Sequence, residues 1–172
     1  MSKEGLFDRM KVLVSGLTGR NSFGKEDFVL LKTALMLAAV DGDVSAEEVS
    51  QFKELAEQCH GYCGKSFEVL WEQTLRSAGY LLLQSRFLDQ EGLVAVFVKE
   101  AEKDFVGEVS QEDKSERVRA FEFLERMAMA DGVYSDIERA CVAALTKSVK
   151  EAWGKLISQR YSRAVIFPED RQ

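Results

Sequence analysis

Apolar residues recur along this chain at helical spacing. In SFEVLWEQTLRSAG, Phe67, Leu70, Trp71, Thr74, Leu75 and Ala78 fall at i, i+3, i+4, i+7, i+8 and i+11, one face of a helix. Leu6, Met10, Leu13 and Leu17 form a similar stripe, as do Val49, Phe52, Ala56 and Cys59. Val118, Phe121, Leu124 and Ala128 give another, and Ile137, Cys141, Ala144 and Leu145 a further one. No segment alternates with a period of two, so the pattern predicts an all-α chain. Proline, which breaks helices, occurs once, at Pro168.

The pattern divides into about seven helices. They span roughly 4–17, 25–40, 46–60 and 66–78, then 80–105 as one bent helix or two broken at Asp89 or Gly92, then 112–130 and 136–160. The second, FVLLKTALMLAAV, is apolar around most of its circumference and belongs at the centre of a bundle. Two apolar helices, ending near Val40 and Ala130, are expected to cross there. Residues 1–160 read as one helical domain and 161–172 as a tail, in which Tyr161, Ile166 and Phe167 cap the core or dock a partner.

An internal repeat is the most specific feature. AAVDGDVSAEEV (38–49) aligns with AMADGVYSDIER (128–139), matching Asp41 with Asp131, Gly42 with Gly132, Ser45 with Ser135 and Glu48 with Glu138. Each copy reads apolar helix, D-G-x-x-S-x-x-E, amphipathic helix. Either helix pair alone has too little core to stand, so the repeat predicts one pseudo-symmetric bundle. Asp-Gly supplies a turn, and Ser with Glu three residues later makes a capping box, which accounts for all four shared positions without a ligand. The corners also gather carboxylates: Asp41, Asp43, Glu47 and Glu48 in the first, Asp131, Asp136 and Glu138 in the second. Oxygen ligands in glycine turns suit calcium or magnesium, not zinc. The EF-hand pattern is not met: Ala46 stands where its glycine belongs, and Phe52 and Val142 where its bidentate glutamate belongs.

With the opening LFDRMKVLVSG, the two DG corners at this separation resemble the TerB-like family of tellurite-resistance proteins. The similarity covers about 5–60 and 112–150; the middle of the chain aligns only as helices. The resemblance implies a compact bundle of about seven helices whose paired acidic corners bind a divalent metal, in a domain also found attached to modules such as DnaJ-type co-chaperones. The family's acidic motif falls on Asp41, Gly42 and Glu48, and on Asp131, Gly132 and Glu138. Val133 opposite Asp43 and Ile137 opposite Glu47 depart from it, leaving the second loop poorer in ligands. No catalytic residue comes with the resemblance. The metal ligands expected are therefore Asp41, Asp43, Glu47, Glu48, Asp131 and Glu138, holding Ca2+ or Mg2+, with the first loop dominant. If the repeats pack about a twofold axis, the two sets of carboxylates merge.

Composition narrows the function classes. The 172 residues carry 23 Lys and Arg against 29 Asp and Glu, a net charge of −6 spread over both halves, so no basic face for nucleic acid is expected. The longest apolar run, Ala34 to Val40, is far below the roughly 20 residues of a membrane span. MSKEGLFDRMK lacks the apolar centre of a secretory signal, and three cysteines cannot all pair, so a reduced cytoplasmic setting is expected. Cys59-His60-Gly61-Tyr62-Cys63 is an incomplete tetrahedral set and is expected to be reduced and metal-free. There is no P-loop, GxGxxG or HExxH motif. The expected function is a non-enzymatic cytoplasmic binding module, responsive to a divalent cation, in a tellurite, stress-response or envelope-associated complex. Its partner is a protein, a second copy in a homodimer included. The alternative is a metal-dependent enzyme using the same carboxylates, which would need them in a concave pocket.

Overall fold

A computed structural model describes residues 25–58 and 67–164. They form seven helices and no strand: α1 Lys25–Ala38, α2 Ala46–Gln58, α3 Phe67–Gln84, α4 Gln90–Glu102, α5 Phe105–Val109, α6 Lys114–Ala128 and α7 Asp136–Ala164. The all-α expectation holds. The helix expected over 4–17, the Cys59–Cys63 cluster and the side chains of the tail lie outside the described residues.

Helix α1 is the hub of the bundle. From Leu31 to Val40 every residue is buried, and α1 touches each of the other helices, α6 and α3 most extensively. An element surrounded on all sides must satisfy any polar group it carries. Thr33 Oγ1 does so by donating to the Val29 carbonyl at 2.9 Å. Lys32 Nζ does so by reaching Asp104 Oδ2 at 2.6 Å, across to the start of α5. Leu81 and Ala78 of α3, Phe97 and Ala101 of α4, Phe105 of α5, Leu124 and Met127 of α6, and Leu145 of α7 complete one continuous core. Phe105 meets Phe121 edge to face at 5.8 Å between centroids.

Aspartates start the later helices by accepting orphan backbone donors. Asp89 takes the Gly92 N–H at 2.9 Å, Asp104 the Phe105 N–H at 2.8 Å and Asp113 the Glu116 N–H at 3.0 Å. Asp89 is thus the break foreseen in the 80–105 region, and Gly92 lies inside α4.

Three expectations are corrected. Helix α3 does not stop near residue 78 but runs through Gly79 to Gln84, because Thr74, Ala78 and Leu81 keep one buried face across the glycine. That packing outweighs the roughly 1 kcal/mol cost of a helical glycine. Helix α6 packs against α1 more than any other helix does, through one face: it buries Ala120, Leu124, Met127 and Ala128, while Val118 lies exposed near its start. The short α5 is a separate element, and α7 continues past residue 160 to Ala164. No helix among the described residues is long and apolar enough to cross a membrane.

Candidate functional site

The two corners have the same local architecture. Each follows an apolar helix end and turns at a glycine with positive φ, 97° at Gly42 and 82° at Gly132, a region that L side chains rarely adopt. The Gly42 N–H donates to the Ala39 carbonyl at 3.2 Å and the Gly132 N–H to that of Met129 at 3.0 Å. Asp41 Oδ1 then accepts from the Asp43 N–H at 3.1 Å, and Asp131 Oδ1 from the Val133 N–H at 2.8 Å. These are paired Asx turns.

Both capping boxes are formed. Ser45 Oγ accepts the Glu48 N–H at 3.1 Å while Glu48 Oε2 accepts the Ser45 N–H at 2.6 Å. In the second corner Ser135 Oγ accepts the Glu138 N–H at 3.3 Å, and Glu138 Oε2 accepts the Ser135 N–H at 2.9 Å and its hydroxyl at 2.7 Å. Every shared position of the repeat therefore has a folding role.

Capping alone does not require what surrounds the boxes. Glu48 and Glu138 are buried carboxyls, 5% and 3% exposed, within reach of each other's charge and of Asp41. Desolvation pushes the Glu48 carboxyl up to about 7; hydrogen bonds from Ser45 oppose this, and the charges of Asp41 and Glu138 add to it. Desolvation raises Glu138 too, with Asp41 and Asp131 contributing, and raises Asp41, with Asp43 and Asp131 contributing. Asp41 is exposed as a residue, yet enough protein packs around its carboxyl for desolvation to dominate. Two corners 90 residues apart in sequence thus face each other as one charged end of the bundle. Asp43, Glu47 and Asp136 stand exposed at this end. Asp43 Oδ1 accepts the Val44 N–H at 2.9 Å.

The corners differ in their surroundings. A Cβ built on Gly42 would lie 2.8 Å from Ser85 Oγ, which donates to the Leu82 carbonyl at 2.8 Å, whereas nothing lies within 4 Å of the same position on Gly132. The end of α3 braces the first corner only. In the second, the Arg139 guanidinium lies over the Tyr134 ring at 5.1 Å and donates to the Tyr134 carbonyl at 3.1 Å. Neither Ser85 nor the Arg139–Tyr134 pair carried a signal in the motif alignment. At Cys141, one turn beyond Glu138, burial pushes the thiol up to about 12, so it offers no thiolate to a soft metal.

The chemistry of the donors bears directly on the expected metal. Asp41, Glu48, Asp131 and Glu138 each commit an oxygen to their own corner's backbone. Among the described residues no three Asp, Glu, Cys or His side chains are disposed to hold an ion. The carboxylates approach closely enough to repel one another but do not form a ready coordination shell. Two clefts lie elsewhere. One of about 370 Å³ runs between the start of α6 and the far half of α7, where Arg117 lies 4.9 Å over Trp153. Another of about 460 Å³ lies between α4 and α7. Neither is lined by a corner residue.

Compared with models of protein families, with curated proteins and with solved structures, the chain gives no match.

Proposed function

We propose that this chain is a non-enzymatic binding module whose ligand face is the merged corner end of the bundle. The observation that supports this reading is that carboxyls from two separate corners share one end of the bundle, where burial chiefly, and one another's charges in addition, raise Asp41, Glu48 and Glu138. An arrangement that resists its own ionisation is relieved by any positive charge bound over it. Calcium or magnesium, the hard cations that oxygen ligands suit, acts in this reading as a weak modulator, because the donors are already committed to caps and turns. Calcium acts ahead of magnesium, since it tolerates irregular oxygen shells. The partly positive helix starts at Ser45 and Ser135 oppose a cation, so several carboxylates must act together. A tellurite or stress-response setting rests on the resemblance alone. Neither of the two clefts above is lined by a corner carboxylate, which the enzyme alternative needs.

The test is thermal unfolding of the full chain in calcium, in magnesium and in sodium chloride of matched ionic strength. Calcium at millimolar concentration is expected to raise the melting temperature beyond the salt control. Asp41→Asn with Glu48→Gln should remove that increment, and Asp131→Asn should remove less of it. Equal curves in calcium and sodium chloride would leave the corners as helix caps without a cation role.

A further inference from the structure

The two corners share a backbone but not a surface. Ala39 and Val44 of the first are buried, and Asp43 and Glu47 are exposed acids. At the equivalent places in the second stand Met129, Tyr134, Val133 and Ile137. Met129 is 48% exposed and Val133 is 62% exposed, on either side of the exposed turn Asp131–Gly132. Single exposed apolar side chains are ordinary; here two flank one turn, and neither has an exposed apolar counterpart in the other copy of the repeat. The repeat thus supplies its own control: one fold, with an acidic tip in one copy and an apolar tip in the other. Because the corners face each other, the apolar tip adjoins exposed like charges.

We propose that this end is a docking surface for a basic amphipathic helix of a partner protein. Its apolar side rests on Met129 and Val133, and its Lys or Arg side chains lie over Asp41, Asp43, Glu47 and Asp131. The proposal rests on the binding-module reading and names its partner class. Charge complementarity selects this occupant. The exposed acids of both corners, with Glu125 and Asp136 beside them, outnumber the bases at this end: Arg139 is tied to Tyr134, and Arg126 and Arg86 stand exposed near the ends of α6 and α3. A second copy of the chain would bring the same acids against themselves. The apolar tip gives the helix an anchor, and the acids give it orientation and a fast, salt-sensitive approach.

The test uses a fluorescein-labelled Leu/Lys amphipathic peptide of about 18 residues, long enough to be helical, against a Leu/Glu peptide of the same pattern. Binding to the full chain is followed by anisotropy at low and physiological salt. The Leu/Lys peptide is expected to bind and the Leu/Glu peptide to fail. Val133→Asp decides between modes. It installs the residue that the first corner already tolerates at that place, so the fold survives, and it makes the end more acidic. Loss of the apolar anchor should weaken binding about tenfold, the worth of burying one such side chain. Asp43→Asn with Glu47→Gln should also weaken binding and flatten its salt dependence. If Val133→Asp binds the peptide as well as wild type or better, the attraction is only electrostatic and the docking surface is refuted. No binding of the Leu/Lys peptide refutes it equally. So does a dimer seen in sedimentation that Val133→Asp dissolves, because the face then belongs to a second copy. A calcium shift that persists when peptide binding fails would leave the cation reading standing, so the two failures are separable.

Discussion

Replacing Glu48 with glutamine isolates the charge of one buried carboxyl while keeping its hydrogen bond. Glutamine offers the same acceptor to the Ser45 N–H, so the capping box survives and only ionisation is lost. In the folded chain the Glu48 carboxyl is pushed from its ordinary value of 4.5 up to about 7, chiefly by burial. A raised acid holds its proton more tightly when folded. Its contribution to stability is therefore complete below pH 4.5 and is lost as the pH rises through about 7. At 1.36 kcal/mol for each tenfold change in proton affinity, the full loss is at most about 3 kcal/mol. Solvent and salt reach the exposed acids around it, which brings the expected effect to about 1–2 kcal/mol. Glu48→Gln should thus match wild type near pH 4, below the ordinary value of 4.5. At pH 8 it should melt about 3–6 °C higher, by the usual scaling for a chain of this size. Urea unfolding at the two pH values measures it, and Asp41 and Glu138 should leave the variant a shallower decline with pH. A variant less stable than wild type at pH 8, or an offset that ignores pH, would refute the desolvation argument and assign the carboxylate a net favourable cap charge.

Two further substitutions probe the frame. Gly42→Ala should cost about 2 kcal/mol or more, since it combines positive-φ strain with a clash against Ser85, while Gly132→Ala should cost only the strain of about 1–2 kcal/mol; urea midpoints that rank the pair the other way would contradict the brace. Asp104→Ala should cost about 3 kcal/mol by stranding Lys32 and uncapping α5, whereas Lys32→Met should cost clearly less, and equal losses in a denaturant series would deny the buried pair its special cost.

Both corners were legible in the sequence because a capping box is local: Ser45 and Glu48, like Ser135 and Glu138, need only three residues of chain to find each other. The central helix was legible for a related reason, since FVLLKTALMLAAV leaves no polar face to turn outward. What escaped depends on tertiary neighbours. The helix expected to end near residue 78 runs on to Gln84 because α1 supplies the surface that buries Leu81 in its next turn. Val118 fits the stripe of α6 but lies in its first turns, near the charged start and away from the core. The five residues of α5 make little more than one turn and depend on Asp104, which both caps that turn and pairs with Lys32 from α1. At the candidate site, the spacing of the acids was on the page. Their local backbone partners were readable too; the burial of Glu48 and Glu138 and the exposure of Met129 and Val133 were not, because these follow from how the helices are brought together.

The length of α7 has a mechanical consequence. Its 29 residues start at the second corner and, at 1.5 Å per residue, extend about 43 Å. The opposing α4, with 13 residues, extends about 20 Å. More than half of the long helix therefore outreaches that neighbour and finds its cover elsewhere. Arg117, from the start of α6, lies over the Trp153 ring in that far half. The hairpin of α6 and α7 is thus closed at both ends, by the glycine turn of the second corner and by this stacked pair.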